Sequence, residues 1–106
     1  MLRKIELTDA AIQDIRWQRI TRGEYVHLLA HLKRVAALPF PVDDYMVTEV
    51  HCCDDEWYRL KDKESNIRVF FFYDEVTLTV TCMLRRSENT YKLVEIIWRS
   101  TKRVGV

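Results

Sequence analysis

Leu2, Ile5 and Leu7 stand among polar neighbours and predict a short opening strand. Thr8 or Asp9 then offers a helix N-cap, and Ala11, Ile12, Ile15 and Ile20 recur at helical spacing through residues 10–20. Gly23 interrupts that pattern and Glu24 restarts it. Tyr25, Leu28, Leu29, Leu32, Val35 and Ala36 trace one face of a second helix, which Pro39 and Pro41 bring to an end. From Asp43 the period changes to two. A strand is expected over residues 45–52, an acidic turn at Asp54-Asp55-Glu56, and a second strand from Trp57 to Lys61. Lys63 to Asn66 reads as a polar turn, Ile67 to Tyr73 as a strand rich in β-branched and aromatic residues, Asp74-Glu75 as a tight connection, and Val76 to Leu84 as a further strand. Helical spacing returns at Tyr91, Val94, Glu95 and Trp98 after a cap at Ser87 or Asn89.

This order predicts an α+β fold. An N-terminal strand and a two-helix hairpin pack on a three- to four-stranded antiparallel sheet, and a C-terminal helix closes the domain. At 106 residues the chain is read as one domain, 1–106, since two halves would each be too small to hold a core. The longest apolar run, Val69 to Tyr73, falls far short of the roughly 20 residues of a membrane span. Arg3 and Lys4 are followed at once by Glu6 and Asp9 with no apolar stretch, so neither membrane nor secretion is expected, and a cytoplasmic location is.

Three cysteines, two of them adjacent (Cys52 and Cys53), do not make a disulfide framework. His51-Cys52-Cys53 lacks the spacing of a zinc site, and His27 and His31, four apart on the second helix, have ligand spacing but no third ligand on that helix. No metal and no cofactor is expected. Phe70 and Phe72 share a strand face and could stack on bases, but core packing is the expected use.

Charge changes the picture more. The formal net charge is +1, yet residues 1–58 balance to −3 and residues 59–106 to +4. Arg59 and Lys61 leave one face of their strand, Arg68 opens the next strand, and Arg85 and Arg86 end the one after, with Lys63 and Tyr91 near the rim. Clustered cations repel by about 1 kcal/mol per pair at 4 Å in water, so such a cluster is built to meet an anion or is only a solvated face. A phosphodiester is a fitting anion, since arginine forks its oxygens and lysine adds a mobile charge. On RNA the 2′-hydroxyl can attack its own phosphate, given a proton acceptor, charge stabilisation and a proton donor, and none of these requires a metal. The residues alone leave passive nucleic-acid binding, protein binding and a plain soluble face open.

At these positions the chain resembles the RelE toxin superfamily of bacterial type II toxin–antitoxin systems. Trp57-Tyr-Arg-Leu-Lys-Asp-Lys-Glu-Ser-Asn-Ile-Arg68-Val-Phe-Phe resembles its strand pair, basic-x-basic and then an arginine seven residues on. Leu84-Arg85-Arg86-Ser-Glu-Asn-Thr-Tyr91 resembles its second signature, a strand-ending arginine followed six residues later by tyrosine. The resemblance implies a RelE-like fold and a ribosome-dependent mRNA endonuclease that inhibits translation. Its partners would be the ribosome, mRNA and a cognate antitoxin. It further implies Lys61 as proton acceptor, Arg59 as phosphate clamp, and Arg68 as stabiliser of the pentavalent phosphate. Arg85 would stabilise and donate a proton, Tyr91 would orient the nucleotide or share the base role, and Lys63 and Arg86 would make further RNA contacts. The superfamily also holds gyrase-poisoning members, and a catalytically silent interaction module shares the fold. The nuclease reading requires Arg85 to face Arg59 and Arg68. It treats Arg85 as a surface residue whose loss would cost folding under about 0.5 kcal/mol.

Overall fold

In a computed structural model the residues described are 2–50 and 56–85. They form β1 (Lys4–Leu7), α1 (Asp9–Trp17), α2 (Arg22–Ala36), a 3-10 turn (Pro41–Asp43), β2 (Val47–Val50), β3 (Trp57–Asp62), β4 (Ile67–Tyr73) and β5 (Thr77–Arg85). The five strands make one mixed sheet in the order β1-β5-β4-β3-β2. β2 to β5 are an antiparallel meander, as the alternation predicted. β1 joins the sheet as a fifth strand, pairing in parallel with β5. The expected closing helix, His51, Cys52, Cys53, Arg86 and Tyr91 lie outside the described residues.

Both helices cover one face of the sheet. Ala11, Leu28, Leu32, Val35 and Ala36 meet Leu60, Val69, Phe71, Leu78, Val80 and Met83 in a single apolar cluster, all essentially inaccessible to water. Burying each of the large side chains stabilises the fold by about 1.5–3 kcal/mol. Tyr58 belongs to this layer, stacks on Phe71 at 5.8 Å and packs on Tyr73 at 5.0 Å, and burial pushes its phenol upward in pKa.

The break between the helices is four residues earlier than Gly23. Arg19 takes a left-handed conformation, φ 51°, just past the α1 C-cap at Gln18. Its N–H donates to Arg16 O, and the Ile20 N–H donates to Ile15 O, the paired bonds of a Schellman ending. Thr21 then caps α2: its hydroxyl accepts from Glu24 N while the Glu24 carboxylate accepts from Thr21 N, a capping box. Gly23 sits inside the first turn of α2 rather than between helices.

α1 also completes an edge of the sheet. β1 reaches along β5 only as far as Val80, which leaves the later β5 amides without a strand on that side. Asp14 Oδ2 accepts from Met83 N at 3.0 Å and Gln18 Oε1 accepts from Arg85 N at 3.1 Å. The match is geometric, since four helical residues rise about 6 Å and two strand residues about 6.7 Å.

Arg3, read from the sequence only as part of a basic start, is nearly buried. Its guanidinium donates to Asp74 O (2.6 Å), Leu38 O (2.6 Å) and Pro39 O (3.2 Å), and lies over the Tyr73 ring at 4.7 Å. It ties β1, the segment after α2 and the β4–β5 turn together.

Candidate functional site: a cationic sheet face

β3 and β4 set the site. In their antiparallel register Lys61 stands directly opposite Arg68, and Arg59 stands opposite Phe70. Period-two alternation sends Tyr58, Leu60 and Asp62 toward the helices and Trp57, Arg59 and Lys61 to the other side. Arg59, Lys61 and Arg68 thus share the face away from α1 and α2, with side chains opposite or diagonal to one another. Beside them lies a second apolar cluster of Trp57, Phe70 and Cys82, flanked by Val50, Phe72 and Leu84. Trp57 and Phe70 pack with ring centroids 5.5 Å apart. All three cations are half-buried, and Arg59 Nε is fully buried with no hydrogen-bond partner among the described residues. The β3–β4 turn carries Lys63 on its exposed surface.

Arg85 does not join them. A β-bulge places Thr81 as an extra residue in β5, between Cys82 paired with Phe70 and Val80 paired with Phe71. Uninterrupted alternation would set residue 85 opposite in face to Leu78 and Val80. The bulge reverses that phase, so Met83 enters the core beneath the helices and Arg85 follows it. There the guanidinium donates to Glu24 through Nη1–Oε2 (3.0 Å) and Nη2–Oε1 (2.8 Å), to Ser65 O (3.2 Å), and to Arg19 O (3.3 Å). The Arg85 fork holds the Glu24 carboxyl well below its ordinary range, at about 2. The expected five-residue constellation is corrected accordingly: three cations converge, Arg85 is turned away and spent in a structural fork, and Tyr91 and Arg86 are not among the described residues. The signal for the bulge was faint in the sequence. Thr81 is buried, with its hydroxyl donating to Phe70 O, and a threonine in an alternating strand does not announce this.

From the sequence, the α2 histidines have ligand spacing but no third ligand on their own helix. Besides each other and Arg34 on the helix, His27 and His31 meet the β3–β4 hairpin, where Asp62 and Glu64 approach them.

No family model matches the chain, and no curated protein matches it. Among solved structures, a chain of the archaeal RelE–RelB complex from Pyrococcus horikoshii OT3 superimposes with a TM-score of 0.61 at 14% identity, over 83% of this chain and 99% of that one. None of the described helices is long and apolar enough to cross a membrane. The likeness spans almost the whole of the archaeal chain while little sequence is shared, and what it establishes is architecture: this chain has the RelE fold.

Proposed function

We propose that the chain is the toxin of a type II toxin–antitoxin pair that acts on messenger RNA at the ribosome, held in check by a cognate antitoxin. The observation that carries this reading is the Lys61–Arg68 cross-strand pair with Arg59 on the same face, beside the Trp57–Phe70 aromatic cluster. Side-by-side cations on a sheet suit two adjacent oxygens of a phosphodiester, while the buried Trp57 and Phe70 only support the strands that carry them. In this reading Arg59 and Arg68 grip the scissile phosphate and stabilise the charge of the phosphorane. Lys61, in its neutral amine form, accepts the 2′-hydroxyl proton as the O2′–P bond forms. The P–O5′ bond then breaks, leaving a cyclic phosphate and a 5′-oxyanion that must take up a proton to become the 5′-hydroxyl. Arg85 is withdrawn from that donor role, so solvent supplies the proton, and Tyr91 keeps the part the resemblance implies, orienting the nucleotide or sharing the base role. Lys63 and Arg86 contribute further contacts to the RNA.

The Arg85–Glu24 fork favours a second reading, a RelE-fold toxin that works by protein contact, gyrase inhibition included. Inducing the chain in a bacterium separates the two. The RNA reading expects growth arrest with new transcript 5′-ends and a silent DNA-damage response. Gyrase poisoning gives the reverse, and an interaction module gives neither.

A further inference from the structure

His27 and His31 lie one turn apart on α2, a spacing that stacks two imidazoles on one helix face. Their Nε2 atoms are 3.2 Å apart, and Glu64 Oε2 is 3.2 Å from His27 Nε2. The buried Asp62 carboxylate completes the group, its ligand atom and those of both histidines all lying within 4.8 Å of one another. With metal–nitrogen and metal–oxygen bonds of about 2.0–2.2 Å, the edge of a ligand tetrahedron is about 3.3–3.6 Å. The two 3.2 Å separations lie close to the short end of that range.

Protons alone satisfy the cluster badly. Arg34 Nη1 donates to His31 Nδ1 at 2.7 Å, so neutral His31 carries its hydrogen on Nε2 and gives it to His27 Nε2. That nitrogen then turns its lone pair toward Glu64 Oε2 as well, and two acceptors face each other. Asp62 is already aimed, because Oδ1 accepts from Glu64 N (3.2 Å) and Oδ2 from Ser65 Oγ (2.7 Å), the outer hydrogen bonds that orient a ligating carboxylate. An open cleft of about 410 Å³, lined by both histidines, Asp62 and Glu64 and also by Lys61 and Lys63, gives an ion a way in.

We propose that His27, His31, Asp62 and Glu64 form a binding site for a divalent transition-metal ion, zinc by preference, that clamps α2 to the β3–β4 turn. Two imidazoles and two carboxylates are a borderline donor set for zinc, and the two negative charges balance the ion. On loading, His31 moves its hydrogen to Nδ1 and its contact with Arg34 opens, while Arg34 keeps Asp44 through Nε and Nη2. Tying two elements together in the native state alone stabilises it by linkage.

Zinc is titrated calorimetrically into the full-length chain stripped with a chelator, and cobalt is added in its place to read ligand type from the visible spectrum. The proposal expects one ion per chain, a raised melting temperature with zinc, and a cobalt spectrum without thiolate charge transfer. Glu64→Gln and the double variant His27→Gln/His31→Gln should each weaken binding at least about tenfold. Glu64 is 81% exposed, so its replacement leaves the fold intact even if the double variant is damaged. Cys52→Ser/Cys53→Ser should bind like the parent chain. The proposal is overturned if the parent chain takes up no zinc, if Glu64→Gln binds as tightly as the parent, or if binding follows the cysteines instead.

Discussion

Arg85 and Glu24 meet fork to fork, with two charge-assisted bonds of 3.0 and 2.8 Å that join the end of β5 to the first turn of α2. The same carboxylate closes the α2 capping box, and the same guanidinium reaches the α1–α2 and β3–β4 connections. An arginine that terminates a strand beside other basic residues is here a brace for four segments. Its replacement tests that role directly. Arg85→Ala should lower stability by about 1–3 kcal/mol, well above the cost of a surface change, because several acceptors lose a charged donor at once. Urea unfolding followed by circular dichroism measures it, and a loss under about 0.5 kcal/mol would return Arg85 to the surface.

Acid should unfasten the same brace. Glu24 titrates at about 2 in the folded chain against an ordinary 4.5, chiefly because Arg85 hydrogen-bonds its charged form. The unfolded chain therefore binds the proton first as pH falls, and the stabilisation is complete above about 4.5 and lost progressively toward 2. Asp44, lowered by its bond from Arg34, adds to the same slope. Glu24→Gln should be less stable at neutral pH and show a flatter dependence below pH 4.5, measured by denaturant midpoints across the acid range.

Arg3 should prove irreplaceable by lysine. Its three guanidinium nitrogens serve backbone carbonyls after α2 and at the β4–β5 turn, a spread that one ammonium cannot span. Arg3→Lys and Arg3→Ala should both destabilise, the alanine variant by about 1–3 kcal/mol as part-buried carbonyls lose a charged donor. Thermal melts of the two variants check the order.

Asp14 guards the β5 edge. Asp14→Ala leaves the Met83 amide buried without its acceptor, at a cost of about 1–3 kcal/mol. Amide hydrogen exchange should accelerate at Met83 and stay slow at Leu78, whose strand partner is β1.

Much of this architecture was legible from periodicity. The α2 stripe of Leu28, Leu32 and Val35 and the alternation of Tyr58, Leu60 and Trp57, Arg59, Lys61 mark which faces are buried, and the structure keeps them. Three cations of the candidate site followed from the same alternation, because β3 and β4 pair without irregularity from Tyr58 to Asp62. Arg85 was lost to one inserted residue: local pattern carries no phase across a bulge, and Thr81 shifts everything after it. The helix break escaped for a related reason. A left-handed Arg19 bears no compositional mark, while Gly23, which does, sits harmlessly in a helical turn. Arg3, Asp14 and the His27–Glu64 contact are non-local, spanning elements that only the folded chain brings together.

The claim that the Arg59, Lys61 and Arg68 face engages RNA is tested most directly by mapping transcript 5′-ends after induction of the parent chain and of Lys61→Ala/Arg68→Ala. The variant must first be matched to its parent by circular dichroism and expression level. New 5′-ends should accumulate with the parent and vanish with the variant. Transcripts left intact by the parent, or cut equally by the variant, would contradict the account.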